Sequence, residues 1–141
     1  MKNKKDKKEE GVGTEEDFKE KYLRALADYQ NLLKRTVKEK EDFLKFVNEG
    51  LIKKLLPVLD NLEKAENVLK DKGIELIHKE LLGVLTNEGL ERIIIKKDEA
   101  FDPGRMECIA VEEGGKKLEE VRAGYTLNKK VIRVAQVKVV K

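Results

Sequence analysis

Side chains able to do covalent or metal chemistry are scarce in this chain. Its 141 residues include one histidine, His78, and one cysteine, Cys108. One of each cannot build a Cys/His zinc site, and a single cysteine permits no disulfide within the chain. His78 falls among Ile74, Ile77 and Leu81 with Glu75 as its local polar partner, which reads as helix packing rather than acid–base work. Two glycine pairs, Gly11-Val12-Gly13 and Gly114-Gly115, lack the pattern and the following helix of a phosphate cradle. The carboxylates are numerous, but they alternate with lysines, the pattern of a solvated surface. With no nucleophile beside a base and no ligand cluster, the sequence argues against an enzyme, a metal or a cofactor. Function must lie in binding.

A binding surface has to be presented by some element, and the dominant one is the stretch from Phe18 to Leu62. Stepping by eleven from Phe18 gives Phe18, Tyr29, Lys40, Leu51 and Leu62; from Tyr22 it gives Tyr22, Leu33, Leu44 and Leu55; from Leu26 it gives Leu26, Val37, Asn48 and Leu59. A heptad ladder would put Thr36, Glu39, Gly50 and Lys53 in the seam. The eleven-residue repeat corresponds to about 3.67 residues per turn, so two such helices would pair with little or weakly right-handed supercoil. The seam is narrow, the other faces are charged, and no other segment is long enough to cover it. A parallel homodimer is the expected solution.

Composition agrees with an open architecture. Charged residues make up 42% and aromatics 5%. With 31 basic and 28 acidic side chains the net charge is only +3, and the interleaving of signs disfavours a nucleic-acid stripe. No apolar run approaches the roughly 20 residues of a membrane span, and no signal-peptide core follows Met1. The expectation is a cytoplasmic protein without nucleic-acid or membrane partners.

The chain divides into four expected regions. Residues 1–13 read as a disordered polar tail. Residues 14–56 form the long helix, opened by Thr14 as N-cap with Asp17 at the capping-box position and braced by the pairs Asp17/Lys21, Glu20/Arg24, Glu41/Lys45 and Glu49/Lys53. Pro57 is expected to kink or stop it. Residues 57–89 hold two short amphipathic helices on either side of an Asp71-Lys72-Gly73 turn; Ile77, Leu81 and Leu85 mark the second, and two copies of the pair would make a four-helix bundle. From residue 90 to 141 the period changes to two: strands at Arg92 to Ile95, Met106 to Val111, Leu118 to Arg122 and Val131 to Val140 give a small β domain. The last is expected to be continuous and at an edge, with Val131, Ala135, Val137 and Val139 on one face. The fold class is α+β.

Several segments carry a resemblance. Leu55-Leu56-Pro57-Val58-Leu59-Asp60-Asn61-Leu62-Glu63-Lys64-Ala65, Asn87 to Ile93, Phe101-Asp102-Pro103, Gly124 to Asn128 and Val131 to Val139 are similar, in order, to the GrpE family; Ala27 to Asn31 and Arg35-Thr36 fit that family's long helix. The sequence departs from the family at Met106, where a histidine is usual, at Cys108, where alanine is common, and in a short connection at Asp71-Lys72-Gly73. The resemblance implies a homodimeric nucleotide-exchange factor that binds the ATPase domain of a DnaK-type heat-shock chaperone and opens its cleft to release ADP. It implies chaperone contacts at Asn61, Gly89, Val121, Tyr125, Lys130, Arg133 and Val139, Lys130 foremost because a charge after a turn has little packing reason to be there. Interruption of the seam by Lys40, Asn48 and Gly50 suggests a long helix that melts first and works as a thermal lever. The alternative on the same architecture is a coiled-coil scaffold or a holding chaperone for unfolded chains.

Overall fold

The computed structural model describes residues 13–141; the polar-tail reading falls almost wholly on residues 1–12, outside the described residues. Two units emerge, one ending at Glu41 and one spanning Asp42–Lys141. Helix α1, Glu15–Phe46, opens with the expected reciprocal cap. The Thr14 amide donates to Asp17 Oδ2 (3.1 Å) and the Asp17 amide donates to Thr14 Oγ1 (3.2 Å). Along the helix Glu20 pairs with Arg24 as expected, whereas Lys45 pairs with Asp42, not Glu41, and Asp17 is engaged by the cap. Helix α1 buries no residue, and Phe18, Tyr22, Leu26, Tyr29, Leu33 and Val37 all stand exposed.

The helical path then differs from expectation. The break falls at Val47–Asn48, and α2, Glu49–Leu69, continues past Pro57 without stopping. Proline in a helix interior costs about 3 kcal/mol by removing a donor and crowding the previous turn. Pro57 nevertheless lies on the exposed face, while Ile52, Leu56 and Leu59 are buried on the other side. Burying each of these contributes roughly 1.5–3 kcal/mol, enough to carry the helix past the proline. A turn with Lys70 in the left-handed conformation ends α2. Asp71 then caps α3, Lys72–Asn87, by accepting from the Gly73 and Ile74 amides (2.7 and 3.2 Å). His78 Nδ1 lies 2.5 Å from Glu66 Oε2, tying α3 to α2. Its partner is therefore Glu66; Glu75, the neighbour expected from the sequence, is taken by Lys79.

Six strands follow: β1 Leu90–Arg92, β2 Met106–Val111, β3 Lys117–Arg122, β4 Tyr125–Leu127, β5 Lys130–Arg133 and β6 Ala135–Val140. They form two three-stranded sheets, ordered β1-β4-β5 and β2-β6-β3. The first sheet is antiparallel, while in the second β6 runs parallel to β2 and antiparallel to β3. The expected continuous last strand is thus two strands in different sheets, divided at Val134, and β6 is central rather than an edge. The change of sheet requires a close crossing. A Cβ on the buried Gly124 would come within 2.4 Å of the Ala135 amide nitrogen. Two cores result. Ile52, Leu56, Leu59 and Leu85 of the helices meet Leu90, Ala123, Tyr125 and Leu127, and a smaller core joins Met106, Leu118, Ala135 and Val137.

Candidate functional site

The residues expected to bind a partner fall into three environments. Tyr125 is 2% exposed in the larger core, where burial pushes its hydroxyl pKa up, so it supports the surface from beneath and cannot lie on it. Val139 is half-buried against the smaller core. Arg133 is enclosed as well: its side chain is only 14% exposed and fully engaged inside the protein. Gly89, half-buried at the α3–β1 joint, adopts φ +98°, and a Cβ there would meet Asn128 Oδ1 at 2.3 Å. Its left-handed backbone and this close approach both require glycine. Asn61, Val121 and Lys130 are exposed.

Lys130 has a structural engagement that its sequence context does not reveal. Its Nζ donates to both oxygens of Glu49 (3.2 and 3.1 Å) and lies 5.4 Å from the Phe46 ring centroid. The hydrogen bond from Lys130, followed by that from Lys53, holds the Glu49 carboxyl below its ordinary pKa. Beside it Asn128 Nδ2 donates to the Lys45 carbonyl at 2.7 Å, one of the orphan acceptors at the end of α1. Asn48 Nδ2 donates to Glu88 Oε2 at 3.0 Å. The helix break is therefore held by the β4–β5 turn and the end of α3.

The densest charged cluster lies where α2 meets the strands. Asp60 accepts a two-pronged bond from Arg133, with Nη1 to Oδ2 and Nη2 to Oδ1 both at 2.7 Å, and a third bond from Arg122 Nε at 3.3 Å. Arg133 also donates to the Ala123 carbonyl (3.0 and 2.7 Å) and stands 5.2 Å over the Tyr125 ring. Burial alone would raise the Asp60 pKa; Arg133 and then Arg122 more than offset this and hold it below its ordinary value. A second bridge runs from Glu63 on α2 to Arg92 (2.8 Å), and Arg92 also binds Glu120 on β3. Partial burial alone would lower the guanidinium pKa, and the two carboxylates more than offset this and hold it above its ordinary value. A cleft of about 400 Å³ opens here, lined by Asp60, Glu63, Arg92, Glu120, Val121 and Arg122 among others. No buried side-chain polar atom among the described residues lacks a partner, and no group of acidic, His or Cys residues there is arranged to hold a metal. The cluster is an ionic scaffold around Val121, which is 45% exposed.

Sequence reasoning missed Asp60, Glu63, Arg92, Glu120 and Arg122. Helical spacing gives Asp60 a local partner in Lys64, and periodicity carries no signal for partners on distant strands. The residues expected in the apolar seam divide by exposure. Phe18, Tyr22, Leu26, Tyr29, Leu33, Val37, Leu44, Leu51 and Ile77 are exposed, and Leu55, Leu62 and Leu81 are partly so. Leu59 and Leu85 are enclosed by their own chain and unavailable to a second one. On α2 the apolar residues left at least partly open include Leu51, Leu55, Val58 and Leu62, spaced four, three and four apart, so the eleven-residue step from Leu51 to Leu62 persists past the break with Val58 in the place expected of Leu59.

The family model described as GrpE matches residues 1–141. The chain is 43% identical over 135 residues to Protein GrpE of Methanosphaera stadtmanae, covering 89% of this chain and 78% of that one. Against Protein GrpE of Bacteroides fragilis the identity is 41%, covering 86% of this chain and 69% of the relative. Protein GrpE of Borreliella burgdorferi is 37% identical, with 87% and 73% covered.

Proposed function

The chain belongs to the GrpE family of co-chaperones, and from that premise we propose that it is a homodimeric nucleotide-exchange factor for a DnaK-type heat-shock chaperone. The observation that carries this reading is Val121, an exposed apolar side chain flanked on both sides by residues tied to α2. A residue held in this way can be pressed into a partner without yielding. Lys130 adds a cation at the β4–β5 turn, with 57% of its side chain exposed, and Asn61 offers a polar contact from α2. The uncovered apolar row on α1 supports pairing with a second copy.

Exchange of this kind is differential binding. The factor must prefer the open-cleft ATPase domain to the closed, ADP-bound one, and by linkage ADP weakens the factor by the same ratio that the factor weakens ADP. A coupling of about 3 kcal/mol corresponds to roughly 150-fold. No covalent step is involved. Stopped-flow release of a fluorescent ADP analogue from the chaperone, with and without this protein, tests the reading. Concentration-dependent acceleration is expected; no acceleration from a verified folded dimer would overturn it in favour of a scaffold or a holding chaperone.

A further inference from the structure

Val121 is set apart by the register of its strand. In the β3–β6 ladder Glu120 faces Val137 and Arg122 faces Gln136, with the register shifting between them, so Val121 is the extra residue of a bulge. A bulge leaves its residue unpaired and re-aims the side chain. By itself it would also leave the strand locally loose. Here the residue before it, Glu120, is bound by Arg92, which reaches Glu63 on α2; the residue after it, Arg122, is bound by Asp60 on α2. Asp60 does more than close one pair. It grips Arg122 of the β2-β6-β3 sheet and Arg133 of the β1-β4-β5 sheet with one carboxylate, and Arg133 holds the Ala123 carbonyl two residues beyond the bulge. The Asp60 side chain is only 12% exposed, so a partner docking on Val121 has little direct access to it.

We propose that Asp60 is a positioning residue for the chaperone contact, acting through Arg122 and Arg133 to fix the height and direction at which the bulged Val121 projects from the β domain. This rests on the exchange reading above. Asp60 touches neither chaperone nor nucleotide; it makes the docking of Val121 cheap by ordering it beforehand. A side chain that acts only through another loses its effect when that other is removed, which a double-mutant cycle measures directly.

The experiment compares wild type, Asp60→Asn, Val121→Ala and the double variant, each checked as a folded dimer by circular dichroism and sedimentation. The readouts are affinity for the nucleotide-free ATPase domain and the ADP-release rate at saturation. Asp60→Asn is expected to weaken affinity about ten-fold with the saturated release rate retained, yet to change affinity less than about two-fold in the Val121→Ala background. Additive losses would overturn the proposal, showing that Asp60 acts elsewhere. Should Asp60→Asn fail to fold, Glu63→Gln weakens the Glu120 side of the same clamp from the surface and is expected to show the same non-additivity; additivity there overturns the proposal equally. A wild type that binds and accelerates release alongside an additive cycle defeats this inference alone, whereas an inactive wild type defeats the exchange reading and this one with it.

Discussion

Single atoms decide more here than side-chain class does. Gly124 sits where two strands of different sheets cross, and a methyl group there would press on the Ala135 amide and the Arg133 carbonyl. Gly124→Ala is expected to destabilise the β domain by about 1–3 kcal/mol, read as a lowered urea midpoint. Asp60 makes a pH-dependent contribution whose sign follows from its lowered pKa in the folded state. The stabilisation is complete above its ordinary value of 3.8 and is lost as pH falls through the lower folded value. The stability difference between wild type and Asp60→Asn should therefore be constant near neutrality and shrink progressively as pH falls below 3.8, measured by urea unfolding at stepped pH. Neither role was legible from residue type. Asp60 reads as a helix-surface acid beside Lys64, and Lys130 as a spare charge, because partners far along the chain leave no mark on local spacing. The capping box at Thr14 was legible, since all its atoms lie within one turn.

Among elements, the helices show where local rules yield to packing. Pro57 announces a stop by its chemistry, yet α2 continues because one face of it, Ile52, Leu56 and Leu59, is core. The actual break, at Val47–Asn48, has no proline and is fixed by Asn128, Lys130 and Glu88 reaching in from other elements. Pro57→Ala should stabilise the protein by about 1–2 kcal/mol, less than the ~3 kcal/mol propensity difference because alanine also frees the unfolded chain. Denaturant midpoints at one fixed protein concentration would show it. The strands follow the same logic. Met106–Val111 was readable from alternation, but the run after Asn128 alternates across a change of sheet, and period two cannot distinguish one long strand from two short ones.

At the scale of the molecule, α1 up to Glu41 buries nothing within its own chain, while Asp42–Lys141 contains both cores. A lone helix of that kind is marginal in water, so its order depends on association. Calorimetry is expected to resolve two transitions, the lower one concentration-dependent and matching loss of helical signal, the upper one belonging to the β domain and α2–α3. Tyr29→Glu should lower the first transition and leave the second in place. A single coincident transition would remove the thermal-lever idea. The order of the β2-β6-β3 sheet bears on synthesis. Its middle strand is encoded after both of its neighbours, and β2 and β3 have no ladder with each other. While the nascent chain lengthens, Met106–Val111 and Lys117–Arg122 wait unpaired until Ala135–Val140 has left the ribosome and inserted between them. Val121 cannot be set into its bulge before then, so a translation product stopped short of Ala135 carries the whole α1 segment and the docking surface unmade.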